Sequence, residues 1–242
     1  MPHWSYPSIL LVVSVCGGCG ADQSTEQARP SAPDAVTGQA RPAAEPAAGR
    51  VYRVDAPASE VLWRISKAGV MARFGHNHVI SAEQFDGSVV VDPEDATRSR
   101  FELEIPVAAL VIDAPELRAR FGEEFASVPS EADKEGTRNN MLGDGVLKGA
   151  LFPIVRVRGG ELAGVGDAQT LAIEIEILGG SFEFRVPATV TFGDGTLEAS
   201  GDFALDHADL SMTPFSALGG ALQVGERIEF SYRIRAVQTA GN

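Results

Sequence analysis

Between Ser181 and Phe192 the side chains alternate without a break. Phe182, Phe184, Val186, Ala188, Val190 and Phe192 share one parity, while Glu183, Arg185, Pro187, Thr189 and Thr191 share the other. Only an extended strand, with its two-residue period, puts the first set on one face and the second on the opposite face. Aromatic and β-branched residues fit a pleated surface and lose rotamer freedom in a helix, so the run predicts a strand with one dry and one wet face. A dry face of this length needs an apolar partner, and the rest of the folded chain has to supply one.

The same period recurs. Val61, Trp63 and Ile65 alternate with Leu62 and Arg64, and Phe85, Gly87, Val89 and Val91 alternate with Asp86, Ser88 and Asp92 up to Pro93. Phe101, Leu103, Ile105 and Val107 face away from Glu102, Glu104 and Pro106, which places both glutamates on a solvated face. Leu171, Ile173, Ile175 and Ile177 alternate with Ala172, Glu174 and Glu176; Phe203, Leu205 and His207 form a further inward row; and Ile228, Phe230, Tyr232 and Ile234 alternate with charged or small residues. Gly179-Gly180 and Gly193-Asp194-Gly195 read as tight hairpins. The exception is about 113–143, where Leu117, Phe121 and Phe125 recur at helical spacing. Asp113 with Glu116 resembles a capping box, and Ser130 with Asp133 offers a second helix start ending near Gly143 in a left-handed cap. Roughly eight strands with one short helical insert over a mouth predict an all-β fold: an extended antiparallel barrel, whose closure removes the sheet edges, with a two-sheet sandwich as the alternative.

The chain divides into three. Residues 1–19 hold the short apolar run Ile9–Val15 followed by small residues, which reads as an export segment too brief to span a bilayer as a helix. Cys19 follows Gly17-Gly18 as in a bacterial lipoprotein signal, so lipidation at Cys19 and ordinary signal cleavage near Gly20-Ala21 are both open. Residues 20–49 are rich in Ala, Pro, Gln, Glu and Ser and read as a disordered tether about 30 Å across. Residues 51–237 form the folded domain. The location is then outside the cytoplasm, in the periplasm or cell envelope. The net charge of −13 argues against a nucleic-acid partner. Cys16 and Cys19 lie outside the domain, which leaves it no disulfide or thiolate zinc site.

The chemistry that remains is in Phe74–Ile80 (FGHNHVI), where His76 and His78 alternate on one side of an extended stretch, with inward-phased His207 distant in sequence. Such imidazoles can share a metal or act as neutral hydrogen-bonding groups at a channel mouth. With Glu83 the run also resembles half of a cupin metal motif. No Gly-x-Ser-x-Gly, His-Glu-x-x-His or phosphate-cradling loop is present, so no enzyme, catalytic residue or cofactor is expected.

The order of motifs resembles the YceI family of lipid-binding, lipocalin-like proteins. It is carried by Tyr52-Arg53-Val54-Asp55, Phe85-Asp86-Gly87 with Asp92-Pro93, Leu151-Phe152-Pro153-Ile154, Ile177–Pro187 and Phe203–Asp209. The resemblance implies an extended eight-stranded barrel around an apolar channel for a polyisoprenoid or similar long-chain amphiphile. At His207 this chain has an imidazole where many members carry Arg. The candidate ligand-binding residues, chosen by phase, are Phe74, His76, His78, Phe85, Val89, Met141, Phe152, Phe182, Phe184, Phe203, His207 and Phe230. A periplasmic metal protein using His76, His78 and His207 is the alternative.

Overall fold

The computed structural model describes residues 49–164 and 169–239; the export segment, Cys19 and nearly all of the tether lie outside them. The strands are β1 (Arg50–Val54), β2 (Glu60–Ala68), β3 (His78–Ala82), β4 (Asp86–Val91), β5 (Arg100–Pro106), β6 (Leu110–Ile112), β7 (Ile154–Ala163), β8 (Gln169–Ile177), β9 (Gly180–Gly193), β10 (Thr196–Asp206), β11 (Ser216–Ala217) and β12 (Leu222–Gln238). They form one antiparallel sheet in the order β1-β4-β5-β7-β8-β9-β10-β12. A second pairing, of β1 with the end of β12 (Tyr52 opposite Gln238), closes these eight strands into the expected barrel.

The long β12 organises the wall. β2 pairs with its first part, from Gln223 to Arg233, and β1 with its last residues, so β1 and β2 lie end to end along one neighbour. They are joined by a short 3-10 turn at Ala56–Ala58. The join is held by the Asp55 amide, which donates to the Arg235 carbonyl, and by the Arg235 amide, which donates to Ser59 Oγ. Beyond β2 the wall extends through β3 and β6. The β9–β10 ladder covers Thr189–Gly193 against Thr196–Ser200. Farther along, the Tyr232 hydroxyl donates to the Pro187 carbonyl at 2.9 Å, and Gly201 permits that approach because a Cβ there would lie 2.2 Å from the same oxygen.

The two-residue periods hold. Val61, Trp63 and Ile65, Leu103 and Ile105, Ile173 and Ile175, and Phe230, Tyr232 and Ile234 all face the barrel interior. The outer faces carry cross-strand ion pairs: Glu104 with Arg156, Glu102 and Glu176 with Arg158, and Glu161 with Arg185. The β8–β9 hairpin turns on Leu178-Gly179 rather than Gly179-Gly180. Both central residues are left-handed (φ 55° and 76°), the backbone that matches the twist of the flanking strands.

The insert departs from expectation. Helix α1 (Pro115–Arg118) is one turn long and capped by Ala114, so Asp113 and Glu116 make no capping box; Asp113 instead turns inward at φ 56°. The left-handed Gly122 stops the Leu117–Phe121–Phe125 stripe from continuing as a helix. Phe121 and Phe125 still pack together, 5.6 Å between ring centres, but on the outer wall, where the Arg64 guanidinium lies over Phe121. This segment buries Leu62 and Val79 on the outward faces of β2 and β3. Helix α2 (Glu131–Leu142) has the expected capping box at Ser130 and Asp133. It ends at an extended Gly143 (φ −72°, ψ 173°), and the left-handed position falls later, at Lys148.

Candidate functional site

The barrel interior is an apolar channel with a cavity of about 320 Å³. An aromatic row crosses its wall in register: Trp63 opposes Phe230, which opposes Phe203, and the last two rings stack at 4.9 Å. Tyr232 also lines the channel; burial and the nearby Asp202 carboxylate push its phenol up to about 12, so it stays neutral. At the β2–β3 end lies a second, more polar space of about 320 Å³, bounded by Lys67, Phe74, His76, His78, Asp133, Thr137 and Gln223. Ile65, Ile80, Met141, Val146 and His207 border both spaces, so this polar vestibule opens onto the channel. From Val224 at the vestibule to Ala236 at the far end, β12 covers about 40 Å at roughly 3.3 Å per residue.

The vestibule is built on a buried ion pair. Asp113, fully buried, accepts from Arg118 Nη1 (2.6 Å), the Val79 amide (3.0 Å) and His78 Nδ1 (2.6 Å). Burial alone would raise its pKa, but the hydrogen bonds from His78 and the Val79 amide, with Arg118 beside them, outweigh it and hold the carboxyl below its ordinary value. Arg118 also donates to the carbonyls of Asn77, Phe125 and Ser127, which ties the 122–127 loop to the start of β3. In its neutral form His78 keeps the Nδ1 proton on Asp113 and presents an Nε2 lone pair to the vestibule, 3.5 Å from Thr137 Oγ1. His207 Nδ1 donates to the Glu226 carbonyl at 2.7 Å, which fixes the same tautomer. His76 lies near Ser127 Oγ (3.3 Å) and Asp133 (3.9 Å). Among the described residues no cluster of three or more His, Cys, Asp or Glu side chains could hold a metal ion.

Of the residues chosen by phase, Val89, Met141, Phe203, His207 and Phe230 line the channel, and Phe74, His76 and His78 line the vestibule. The structure does not put the other four on either wall. Phe85 is buried in the core beside Leu103; Phe182 and Phe184 pack on the Ile173–Leu205 cluster; and Phe152 sits over the β8–β9 hairpin, where a Cβ at Gly179 would lie 3.0 Å from its ring. Asp113, Arg118 and Thr137 were not among those residues. Their roles depend on contacts 35, 41 and 59 residues away, for which a local pattern carries no signal.

A family model described as a YceI-like domain matches residues 52–236. The chain belongs to the YceI-like family. Among solved structures, BcnA of Burkholderia cenocepacia aligns with a TM-score of 0.55 at 14% identity, covering 76% of this chain and 99% of that one. A YCEI protein of Campylobacter jejuni aligns with a TM-score of 0.47 at 10% identity, covering 67% and 85%. At these identities the likeness to BcnA is one of fold. No curated protein matches the chain. Family and fold together describe a barrel binding protein.

Proposed function

We propose that this protein is an exported, non-catalytic carrier that holds a polyisoprenoid or similar long-chain amphiphile, with the tail in the channel and the head in the vestibule. The observation that carries this reading is the continuity of a long apolar channel with a polar space at one end, through Ile65, Ile80, Met141, Val146 and His207. Burying a long hydrocarbon chain yields roughly 25 cal/mol per Å² of apolar surface, so a tail needs no charged anchor. His78 and His207, each with Nδ1 committed to an oxygen, offer acceptors, which favours a head group that donates, such as a hydroxyl. The export segment and Cys19 would hold the carrier in the cell envelope, with or without an acyl anchor.

Titration with prenols of increasing length tests the reading. Val89 lines the channel at the far end, beside Tyr52, so Val89→Trp should shorten the channel without touching the vestibule. The expected result is unchanged affinity for short prenols and about a tenfold loss for the longest, the equivalent of 1.4 kcal/mol. Affinity that ignores chain length would refute the reading.

A further inference from the structure

One lip of the vestibule is built to meet something other than water. The β2–β3 loop and the segment leading into β12 are packed together there. The Met71 amide donates to the Ala221 carbonyl at 2.8 Å, and a Cβ on Gly69 would lie 2.4 Å from that same oxygen. From these two touching loops Val70, Phe74 and Leu218 stand 90%, 60% and 68% exposed. Leu218 is also left-handed (φ 51°), a backbone that Gly or Asn adopts more cheaply. The exposed Leu218 side chain buries little apolar surface to offset that strain, and strained residues concentrate where function sets the choice.

Charge points the same way. The chain carries −13, yet residues 67–78 contain Lys67 and Arg73 and no acidic residue, and residues 210–225 contain no charged residue at all. The Arg73 guanidinium lies 4.6 Å from the centre of the Phe74 ring, which places a cation at the apolar edge. Helix α2, which also borders the vestibule, carries Glu131, Asp133 and Glu135 against Lys134 and Arg138, so it offers an anionic surface no net positive charge.

We propose that the lip formed by Val70, Arg73, Phe74 and Leu218 docks on the surface of an anionic lipid bilayer. Apolar tips seat in the head-group boundary while adjacent cations meet lipid phosphates, the combination that drives interfacial binding. With the lip seated, the vestibule opens toward the bilayer, so an amphiphile can pass between membrane and channel without crossing water. This purpose rests on the carrier reading, but the docking itself stands on the surface.

Flotation of the full chain with vesicles of phosphatidylethanolamine and phosphatidylglycerol (3:1) tests it, with Cys19→Ser in every sample so that no acyl chain at that position contributes. The comparison is with Val70→Asp/Leu218→Asp, both outside the ligand-binding set; Asp tolerates the left-handed backbone at 218. The double variant should partition at least about tenfold less, the unsubstituted lip should bind phosphatidylcholine vesicles more weakly, and prenol binding in solution should be equal for both proteins. Equal flotation of the two proteins would overturn the docking proposal. So would a dimer in sedimentation velocity that the double variant disperses, with no vesicle binding, since the lip would then be a protein interface. Lip-dependent flotation of a protein that takes up no prenol would leave docking intact and defeat the carrier reading alone.

Discussion

Removing the Asp113 carboxylate should cost more than any other single change in the vestibule, because Arg118 cannot follow it into water. Arg118 is only 5% exposed, and three backbone carbonyls as well as Asp113 hold its guanidinium. In Asp113→Ala the buried cation loses its counter-charge, a loss of about 3–5 kcal/mol by comparison with other buried pairs broken on one side. The Val79 amide and His78 Nδ1 lose their acceptor in the same step. Asp113→Asn separates charge from shape. Asn tolerates φ 56°, loses the counter-charge and still accepts from Arg118 and the Val79 amide, so its cost should be smaller than that of Asp113→Ala by about 1–2 kcal/mol, the part that those two hydrogen bonds contribute. Its amide would also face His78 Nδ1, which inverts the tautomer and turns Nε2 into a donor toward the head group. Urea unfolding followed by tryptophan fluorescence measures both. With a slope of about 2 kcal/mol per molar, Asp113→Ala should move the midpoint down by about 1.5–2.5 M and Asp113→Asn by about 0.5–1 M less than that. A shift below about 0.5 M for Asp113→Ala would show that the pair is not what organises this end of the barrel.

Two further outcomes follow from the same geometry. The Asp113 carboxyl is held below its unfolded value, so the stability it contributes is complete above about pH 4 and is lost as pH falls through the lower folded value; unfolding at graded acid pH should show that loss in the native protein and a smaller one in Asp113→Asn. Lys148 is exposed and left-handed, so Lys148→Gly should raise stability by about 0.5–1 kcal/mol, and a thermal melt showing destabilisation would mean the lysine side chain makes a contact that matters.

The wall of the barrel could be read from the sequence because a strand's two-residue period is local and a barrel interior is continuous. Val61, Trp63 and Ile65, or Phe230, Tyr232 and Ile234, could hardly face anywhere else. Phase tells which side of the wall a residue occupies and nothing about whether it meets a void or a neighbour. Phe182 and Phe184 therefore share a parity with Val186, yet they fill core while Val186 borders the channel. The helical insert misled for a related reason: Leu117, Phe121 and Phe125 keep helical spacing, but one left-handed glycine at 122 ends the helix and the rings pack on the outer wall instead. Asp113 carries a local pattern that suits a helix cap, and long-range contacts with His78, Val79 and Arg118 claim its carboxylate. The vestibule could be expected only as far as the alternation of His76 and His78. The ion pair that fixes His78 is assembled by the fold.

The carrier reading is tested most directly by organic extraction and mass spectrometry of the protein recovered from its native host under gentle conditions. It predicts a long-chain amphiphile with a hydrogen-bond-donating head group, retained at about one per chain and depleted in Val89→Trp. A correctly folded protein that is consistently empty, with its channel collapsed onto its own side chains, would contradict it.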